Sequence, residues 1–402
     1  MWGERRGCHV TTRPTLAGTP SLLRAINDRA ALELLLANGP LSRTQIGTLT
    51  GLSKPTASQL LGRLEAAGLV VPVGTMAGGP GPNAQLYQVN PAAGYVAGLD
   101  VTASRIRIAV ADITGRTLAE HEVSTKGWPA AETITRVGEA VGEAVELAGL
   151  AEGICCEVVI GIGGALDPAT GKLRYATHLP GWHSPRLIAE LEAAIGCSVS
   201  IENDVNLAAI AEQAHGAAQG CEDFVLLWTG VGVGAAIVIA GRLHRGFHSG
   251  AGEVGYMPLP GAPIVHDVRR KNSGGFQQLA GAPAVLALAK QHGLSAPTAA
   301  RVVAEALETP GSGDAFLVEF ADRLALGLAS IVSVVDPELL ILAGDVPSAG
   351  GERLRALVEE ALTELTFPRP EVRSSTLPGS PVLHGALERA LATTRDSVFS
   401  TH

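Results

Sequence analysis

The 402-residue sequence is long enough for two or three domains, and with 46% hydrophobic and 17% charged residues it can bury a sizeable core. No apolar run reaches the length of a membrane-spanning helix, so we expect no membrane partner. The five cysteines show neither a C-x-x-C spacing nor a disulfide framework. This cysteine usage fits a reducing cytosol, and we expect a cytoplasmic protein.

The net charge of −9 is unevenly distributed along the chain. Residues 1–73 carry eight Lys and Arg against four acidic residues, a net +4, so the remainder carries −13. A basic segment on an acidic body indicates that one end of the chain meets phosphate, although chance would give the same distribution. Residues 1–19 contain arginines with no apolar segment behind them. We therefore expect no secretory signal here and interpret these residues as a flexible tail.

Residues 20–90 are predicted to form a small helical module that ends in a β-hairpin. Apolar residues at helical spacing predict a first helix over residues 21–37. A capping box then opens a short second helix, in which two apolar side chains are expected to be buried and a glycine ends the helix. These capping, buried and terminal residues are Ser42 and Gln45, Ile46 and Leu49, and Gly51.

A third helix is predicted to begin at Ser53, with Lys54 and Pro55 in its first turn, where proline costs no hydrogen bond. Its apolar stripe is Ala57, Leu60, Leu61 and Leu64. Two short helices joined by a tight turn, with a polar outer face on the second, are the helix-turn-helix pattern, and the second helix would enter the major groove of double-stranded DNA. The alternative is an ordinary helical hairpin with a solvated face; helix lengths, turn and polar face favour DNA. The predicted DNA-contacting residues are Arg43, Thr44, Lys54, Thr56, Ser58, Gln59 and Arg63.

A winged hairpin is predicted to follow this helix. Residues 69–73 and 84–89 have strand character, and the turn-rich residues 74–83 lie between them. The tip lacks an arginine that would probe a groove, so we expect weak DNA contacts from the wing.

Two related strand–turn–strand patterns occur in the rest of the chain. The first runs through residues 95–101 and 106–110, and the second through residues 224–228 and 235–239. Each is followed by helical segments, which predicts a duplicated α/β architecture with a cleft between the halves, where the chemistry should lie.

Three motifs in this region can carry chemistry, and each also has a purely structural interpretation. The glycine-rich run 229–234 is either a phosphate cradle or a tight hairpin. Asn203 and Asp204 follow a predicted strand, where a carboxylate can take a proton from a hydroxyl, or where either residue can cap the next helix. Glu253 in a glycine-lined loop suits hydrogen bonding to a sugar diol, but exposed glutamates are common in turns.

These motifs together resemble the ROK family (repressors, open reading frames and sugar kinases). The most specific match is GIGGALDPATGKLRYATHLPGWHS followed by SIENDVNLAAIAE, and it is supported by WTGVGVGAAIVIAGRLHRG, SGAGEVGYMPLPG and VVDPELLILAGDV. The resemblance covers a winged helix at about 21–90 and a kinase-like domain at 94–395, with halves of about 94–205 and 206–395. It implies a winged helix-turn-helix followed by a duplicated actin/hexokinase-like fold of the ribonuclease H-like type. It also implies the repressor branch, because the family's plain kinases carry no helix-turn-helix, and a homodimer or dimer of dimers.

The resemblance also assigns site residues by position. Asp204 stands where the kinases keep their catalytic base. The implied sugar-binding residues are His178, Asn203, Asp204, Glu253, Tyr256 and Gln278. The implied vestigial phosphate-loop residues are Asp100, Thr102, Gly230, Gly232 and Gly234.

The sequence departs from the family pattern at three places. The first phosphate loop normally reads Asp-x-Gly-Gly-Thr, but Asp100 is followed here by residues with side chains, which argues against ATP. Tyr256 stands in place of a zinc-ligating His, residues 261–281 contain no cysteine, and His266 alone cannot make a structural zinc site, so we expect no zinc and no other cofactor. In addition, Gln278 replaces a family Glu, and His178 replaces an Asn that commonly contacts the sugar.

The sequence therefore predicts a DNA-binding regulator of carbohydrate genes, a repressor or an activator, controlled by a sugar or a sugar phosphate. No enzymatic activity is expected. One alternative is an ATP-dependent sugar kinase that also binds DNA. A second alternative is a DNA-binding dimer whose kinase-like body is a vestigial scaffold.

Overall fold

The computed structural model describes residues 20–76, 84–174, 176, 179–264 and 274–400. The chain divides into two units. The N-terminal unit comprises the residues up to Ala93 together with those from Arg395 onward, and the large unit comprises Gly94–Thr394. Among the described residues, no helix is both long enough and apolar enough to cross a membrane.

The N-terminal unit is a winged helix-turn-helix, as predicted. Its helices and strands are α1 (Pro20–Asn38), β1 (Leu41–Ser42), α2 (Arg43–Thr50), α3 (Lys54–Ala66), β2 (Val70–Met76) and β3 (Ala84–Val89). The strands form an antiparallel sheet in the order β1-β3-β2. The predicted capping box at the start of α2 is present, since Ser42 Oγ accepts from the Gln45 amide and Gln45 Oε1 accepts from the Ser42 amide. Gly51 ends α2 in the left-handed conformation, with φ of 72°.

The core of this unit confirms one predicted buried face and corrects another. The predicted stripe of α3, Ala57, Leu60, Leu61 and Leu64, is fully buried. Ile46 of α2 is also buried, but Leu49 is 54% exposed, so its predicted burial was wrong. Gly47, not Leu49, completes the buried face of α2, because it packs closely on Ala57. At about 100° per residue, Leu49 lies about 110° away from the middle of the Ile46–Gly47 face.

The large unit contains two five-stranded sheets with the same strand order, which confirms the predicted duplication. The first sheet has the order β10-β7-β4-β5-β6, and the second, from its parallel end, has the order β15-β14-β11-β12-β13. The strands of the first sheet are β4 (Tyr95–Val101), β5 (Arg105–Asp112), β6 (Thr117–Ser124), β7 (Cys155–Ile162) and β10 (Ser198–Asn203). Those of the second sheet are β11 (Phe224–Thr229), β12 (Val233–Ile239), β13 (Arg242–Leu243), β14 (Leu339–Ala343) and β15 (Glu371–Ser374). A small hairpin of β8 (Ala165–Leu166) and β9 (Leu173–Arg174) lies between β7 and β10 in the chain.

Helices cover the sheets of the large unit and build a separate core with each. The helices are α4 (Thr133–Leu147), α5 (Leu187–Ile195), α6 (Asp204–His215), α7 (Gln277–Ala280), α8 (Ala282–Gln291), α9 (Ala299–Leu307), α10 (Ser312–Val335), α11 (Asp345–Leu365) and α12 (Pro381–Ser400). The first sheet packs its Ile and Val side chains against α4 and α5. The second sheet packs against α8 to α11 around Phe276, Phe316 and Phe320. The sheets are therefore rigid platforms that hold the loops at their edges.

Candidate functional site

Helix α3 presents a polar face of the kind that reads DNA. Ser53 caps the helix by accepting from the Thr56 amide at 3.4 Å, and it also hydrogen bonds to the Thr56 hydroxyl at 2.8 Å. Lys54, Ser58 and Gln59 are exposed, and within the described residues their side chains form no hydrogen bond. The first turns of α3 thus offer an ammonium group, a hydroxyl and an amide to a partner, a set that suits contacts to phosphates and base edges.

Two arginines that were predicted to contact DNA are bound within the N-terminal unit. The guanidinium group of Arg63 donates to the nearly buried Asp28 of α1, with Nη2 at 2.6 Å from Oδ1. That of Arg43 donates to the Tyr87 hydroxyl at 2.6 Å and lies 5.5 Å from the centre of the Tyr87 ring. The two arginines therefore tie α2 and α3, respectively, to the rest of the unit. Their DNA contacts, and that of the exposed Thr44, remain predictions, and wing residues 77–83 lie outside the described residues.

The candidate ligand site of the large unit lies at the carboxyl ends of parallel strands. β4, β7 and β10 are parallel, and Val101, Ile162 and Asn203 lie side by side at their ends. Asp100, one residue before this edge, is 8% exposed and accepts a hydrogen bond from Ser380 Oγ at 2.7 Å. Asp204 follows the same edge as the first residue of α6. The two carboxylates thus share the edge at which ligands of open α/β sheets bind.

Asn203 builds this edge through its own side chain. Its Oδ1 accepts from the amides of Val205 and Asn206 at 2.9 and 3.2 Å, which caps α6. Its Nδ2 donates to the Gly164 carbonyl at 3.0 Å and fixes the segment that leads into β8. The sequence left helix capping and ligand contact open, and the structure shows the capping role; the sugar contact remains a prediction.

The loop that carries Glu253 is held against the second sheet. The Ala235 amide of β12 donates to the Gly252 carbonyl at 2.8 Å. Gly252 has a φ of +93°, and a Cβ at this position would overlap the Ala235 carbonyl oxygen. One residue earlier in β12, Gly234 packs against Val205 of α6, where a Cβ would lie 3.1 Å from Val205 Cγ2. This packing brings the Glu253 loop and the start of α6 to the same strand.

Asp204 and Glu253 have strongly perturbed carboxyl groups. Burial, with a smaller contribution from the Asp100 charge, raises the pKa of Asp204 to about 6. Burial, with a smaller contribution from the Asp204 charge, raises the pKa of Glu253 to about 7. Each is therefore a partly buried carboxyl group that ionises near neutral pH, which is typical of a functional site.

The two predicted phosphate loops are compact turns. In the first, Thr102 Oγ1 accepts from the Arg105 amide and donates to the Arg105 carbonyl, which closes the turn on itself. In the second, Thr229 pairs with Val233, so the glycine-rich run is a tight hairpin, and Gly234 lies in β12 and not in the turn. The run therefore forms a hairpin, and its contact with a phosphate stays a prediction.

Two residues that sequence reasoning missed shape the second loop. Gln277 accepts from the Val233 amide at 2.9 Å and donates to the Val231 carbonyl at 3.2 Å, which braces the hairpin. Asp345, the first residue of α11, places its carboxylate beside the hairpin, since a Cβ on Gly230 would lie 2.6 Å from Asp345 Oδ1. Burial raises the pKa of Asp345. An acidic residue directly after the glycine that follows β14 is the sequence signal for this feature.

A buried carboxylate beside the cleft was also missed. Glu202 is 7% exposed, and its Oε2 accepts from Arg245 Nε and Arg389 Nη1, both at 2.7 Å. Its Oε1 accepts from Asn206 Nδ2 at 2.9 Å. A charged residue in a buried strand is the signal that could have found it. Through these bonds, Glu202 links β10 to the segment after β13 and to helix α12.

The remaining predicted ligand residues are only partly described. Tyr256 lies in a 3₁₀ turn (Val254–Tyr256), and Gln278 lies in α7. His178 and His266 lie outside the described residues. Within the described part of the chain, no group of three or more His, Cys, Asp or Glu side chains is arranged to hold a metal ion. The expected lack of zinc stays a prediction.

Family comparison assigns the two units. Residues 96–387 match the model of the ROK family. The chain belongs to the ROK family. Residues 27–75 match the model described as MarR family, which fits the winged helix-turn-helix. The large unit thus has the ROK sugar-kinase fold, as predicted.

Individual relatives cover most of the chain. The xylose repressor of Caldicellulosiruptor bescii is 26% identical over 364 residues, which is 87% of this chain and 90% of the relative. A solved ROK family transcriptional regulator, a homologue of the Escherichia coli MLC protein, has a TM-score of 0.73 over 94% of this chain and 100% of its own, at 18% identity. The ROK hexokinase from Thermus thermophilus has a TM-score of 0.64 over 75% of this chain and 99% of its own, at 28% identity.

Proposed function

We propose that this ROK-family protein is a sugar-responsive transcriptional regulator that represses carbohydrate genes. Its α3 helix enters the major groove of double-stranded DNA, and its cleft binds the effector through Asp204 and Glu253. One observation carries the proposal. A single chain holds both a helix with an exposed polar face and a ROK unit with two carboxyl groups that ionise near neutral pH, Asp204 at a sheet edge and Glu253 on a loop held against β12. The xylose repressor, similar along 90% of its length, supports the same reading.

The regulator acts as a homodimer or a dimer of dimers in this proposal. Two copies related by a two-fold axis would place two α3 helices on two half-sites, so the operator would be palindromic. Effector binding would change the spacing of the two helices. Because such coupling is reciprocal, an effector that releases DNA must itself bind less tightly to the DNA-bound protein.

A second candidate function is an ATP-dependent sugar kinase. The specific observation in its favour is Asp204, which stands where ROK kinases keep their base and whose pKa of about 6 suits a general base near neutral pH. Phosphoryl transfer, however, depends on an intact phosphate cradle. The self-closed turn at Thr102 and the Asp345 carboxylate beside Gly230 both weaken such a cradle, so we propose that the protein has no kinase activity and needs no zinc or nucleotide cofactor.

Fluorescence anisotropy on DNA from upstream of the protein's own gene tests the proposal. The full chain is titrated at several salt concentrations, with and without a sugar panel, and a scrambled duplex is the control. We expect binding that exceeds the scrambled duplex, weakens with salt and is reversed by a sugar. Gln59→Ala should lose this preference, while Glu120→Gln, an exposed change on β6, should keep it.

Two results would redirect the assignment. No preference over scrambled DNA at any salt concentration would contradict the regulator. Sugar-dependent ATP consumption that Asp204→Asn abolishes would establish the kinase instead.

A further inference from the structure

We infer that Cys155 and Cys197 of the large unit form a reversible disulfide bond when the protein meets a peroxide. The four described cysteines, Cys155, Cys156, Cys197 and Cys221, are free thiols in this structure. Disulfides of proteins in a reducing cytosol are usually transient and serve catalysis or redox sensing. The proposed bond therefore makes the large unit sensitive to oxidation, which is a property separate from its response to a sugar.

The strand pairing brings the two cysteines to the distance that a disulfide needs. Cys155 begins β7, and Cys197 directly precedes β10, the parallel neighbour of β7. The register pairs Ser198 with Glu157, so Cys197 lies beside position 156, one residue along from Cys155. A strand spacing of about 4.8 Å and a step of about 3.3 Å put the two Cα atoms about 5.8 Å apart. Disulfide-bonded cysteines usually have their Cα atoms about 5.5–6 Å apart.

Both side chains lie on the same face of the first sheet. At its start β7 has one residue more than its other neighbour, β4, and this bulge turns Cys155 into the core between the sheet and helices α4 and α5. Cys197 packs against the same core. Cys156 turns towards α12 instead, because a Cβ on Gly94 would lie 3.6 Å from Cys156 Sγ and 3.3 Å from Thr394 Cγ2. Cys155, and not Cys156, is thus the partner of Cys197.

A small cavity between α4 and α5 gives the two sulfur atoms access to an oxidant. Both cysteines line this cavity, which has a volume of about 20 Å³. Room for about one water-sized molecule suits a peroxide, which has only two oxygen atoms, and excludes a bulky organic disulfide. The helices pack tightly above it, since a Cβ on Gly138 of α4 would lie 2.6 Å from the Ala194 carbonyl oxygen of α5. The cavity adjoins a surface groove along α4, with which it shares Gly138, Gly142, Glu152 and Ala194.

The two thiols take different parts in the reaction. Cys155 is 6% exposed, whereas Cys197 is half-buried and its Sγ donates to the Ser198 carbonyl at 3.6 Å. The more accessible Cys197 sulfur attacks one peroxide oxygen, the O–O bond breaks, one water leaves, and Cys197 becomes a sulfenic acid. The Cys155 sulfur then attacks the Cys197 sulfur, the S–S bond forms, and the hydroxyl leaves as a second water. Two thiols are oxidised, one peroxide is reduced, and both thiol protons end in water.

The surroundings of the thiols set the speed of this reaction. Burial, with smaller contributions from the neighbouring thiols, raises the pKa of Cys155 to about 12. Burial also raises the pKa of Cys197 to about 11, with smaller contributions from Glu157, Cys156 and Glu192. The thiolate is the nucleophile, so oxidation is slow at neutral pH. Because the thiolate fraction of Cys197 grows tenfold per pH unit below its pKa, oxidation should be about 30-fold faster at pH 9 than at pH 7.5.

Thiol counting on the full-length protein tests the inference. The reduced protein is treated with stoichiometric hydrogen peroxide at pH 7.5 and 9, and the free thiols of the denatured chain are counted over time. We expect two of the five thiols to be lost and dithiothreitol to restore them. Non-reducing peptide mapping should find Cys155 joined to Cys197. The bond closes a loop of about 40 residues, so it should also raise the melting temperature by about 2–8 °C.

Cysteine variants separate this bond from general oxidation. Cys197→Ser, at a half-buried position, should abolish the bond. Cys155→Ala should leave Cys197 as a sulfenic acid, which dimedone detects. Cys156→Ser and Cys221→Ser are the matched controls and should form the bond as wild type does. A bond that persists in Cys197→Ser, a bond between Cys156 and Cys197, or five thiols that survive peroxide at pH 9 would overturn the inference.

Discussion

Replacing Asp204 by asparagine should stabilise the ligand-free protein at neutral pH while it removes effector binding. The pKa of Asp204 is about 6 in the folded protein, mainly because of burial, and is about 3.9 in an unfolded chain. Between these two values the folded protein retains a proton that the unfolded chain has released. The free energy of unfolding contributed by this group therefore falls as the pH rises from about 4 to about 6, and the loss is complete above that.

The size of the effect follows from the difference between the two pKa values. A difference of about 2 units at 1.36 kcal/mol per unit sets an upper limit of about 3 kcal/mol. An amide can keep the hydrogen bond from the Val205 amide, 2.9 Å from Asp204 Oδ1, but it still carries a desolvation cost. We expect Asp204→Asn to raise the free energy of unfolding by about 1–3 kcal/mol at pH 8. A domain of this size should then melt about 2–8 °C higher, and the gain should nearly vanish at pH 4.

Urea unfolding of wild type and Asp204→Asn at pH 4, 6 and 8 measures this gain. Glu120→Gln removes an exposed carboxylate of the same unit and is the matched control, for which we expect no pH-dependent gain. A variant less stable than wild type at pH 8, or equally stabilised at every pH, would refute the reasoning. Loss of sugar binding in the stabilised variant would show that the protein gives up stability to keep this carboxylate ionised.

Four further outcomes are expected. Effector affinity, measured by calorimetry, should rise up to about tenfold from pH 6 to pH 8 as Glu253, with its pKa of about 7, ionises, and Glu253→Gln should remove that part of the rise. Glu202→Gln should lower the free energy of unfolding by about 3–5 kcal/mol in urea, because two arginines lose their common carboxylate. Gln59→Ala should cost about 1–3 kcal/mol of operator binding in anisotropy and leave scrambled DNA unaffected. Lys54→Ala should weaken binding to the operator and to the scrambled duplex alike. It should also reduce the slope of log affinity against log salt concentration by about 1.

The local features of the N-terminal unit were predictable because their causes are local. The capping box of Ser42 and Gln45 and the left-handed Gly51 involve residues within a few positions of each other, so the sequence displays them directly. Leu49 was placed incorrectly because the buried face of α2 depends on which side Ala57 approaches. Arg63 offered a charge to DNA in sequence, but its partner Asp28 lies 35 residues away. Helical periodicity in the sequence does not reveal contacts between residues so far apart.

The candidate ligand site was predictable only in outline. The motif around Asp204 located it, but the pattern could not decide between capping and ligand contact for Asn203, whose second partner Gly164 is 39 residues away. The two arginines that bind Glu202 lie 43 and 187 residues away in the sequence, so no local sequence spacing could reveal them. A glycine-rich run is common to phosphate cradles and tight hairpins. The pairing of Thr229 with Val233 shows the hairpin here, while the phosphate contact stays a prediction.

The capped state of Asn203 has a stereochemical consequence for the effector. With Oδ1 occupied by two backbone amides and one Nδ2 hydrogen given to Gly164, the side chain has one N–H left to offer. In the proposed function, a ligand oxygen facing Asn203 must therefore accept, whereas hydroxyls facing the ionised forms of Asp204 and Glu253 must donate. Epimers turn the same hydroxyl to another side of the ring, so this fixed direction of the hydrogen bonds distinguishes them. It also disfavours deoxy and O-methyl analogues, because they leave a carboxylate without a hydrogen-bond donor.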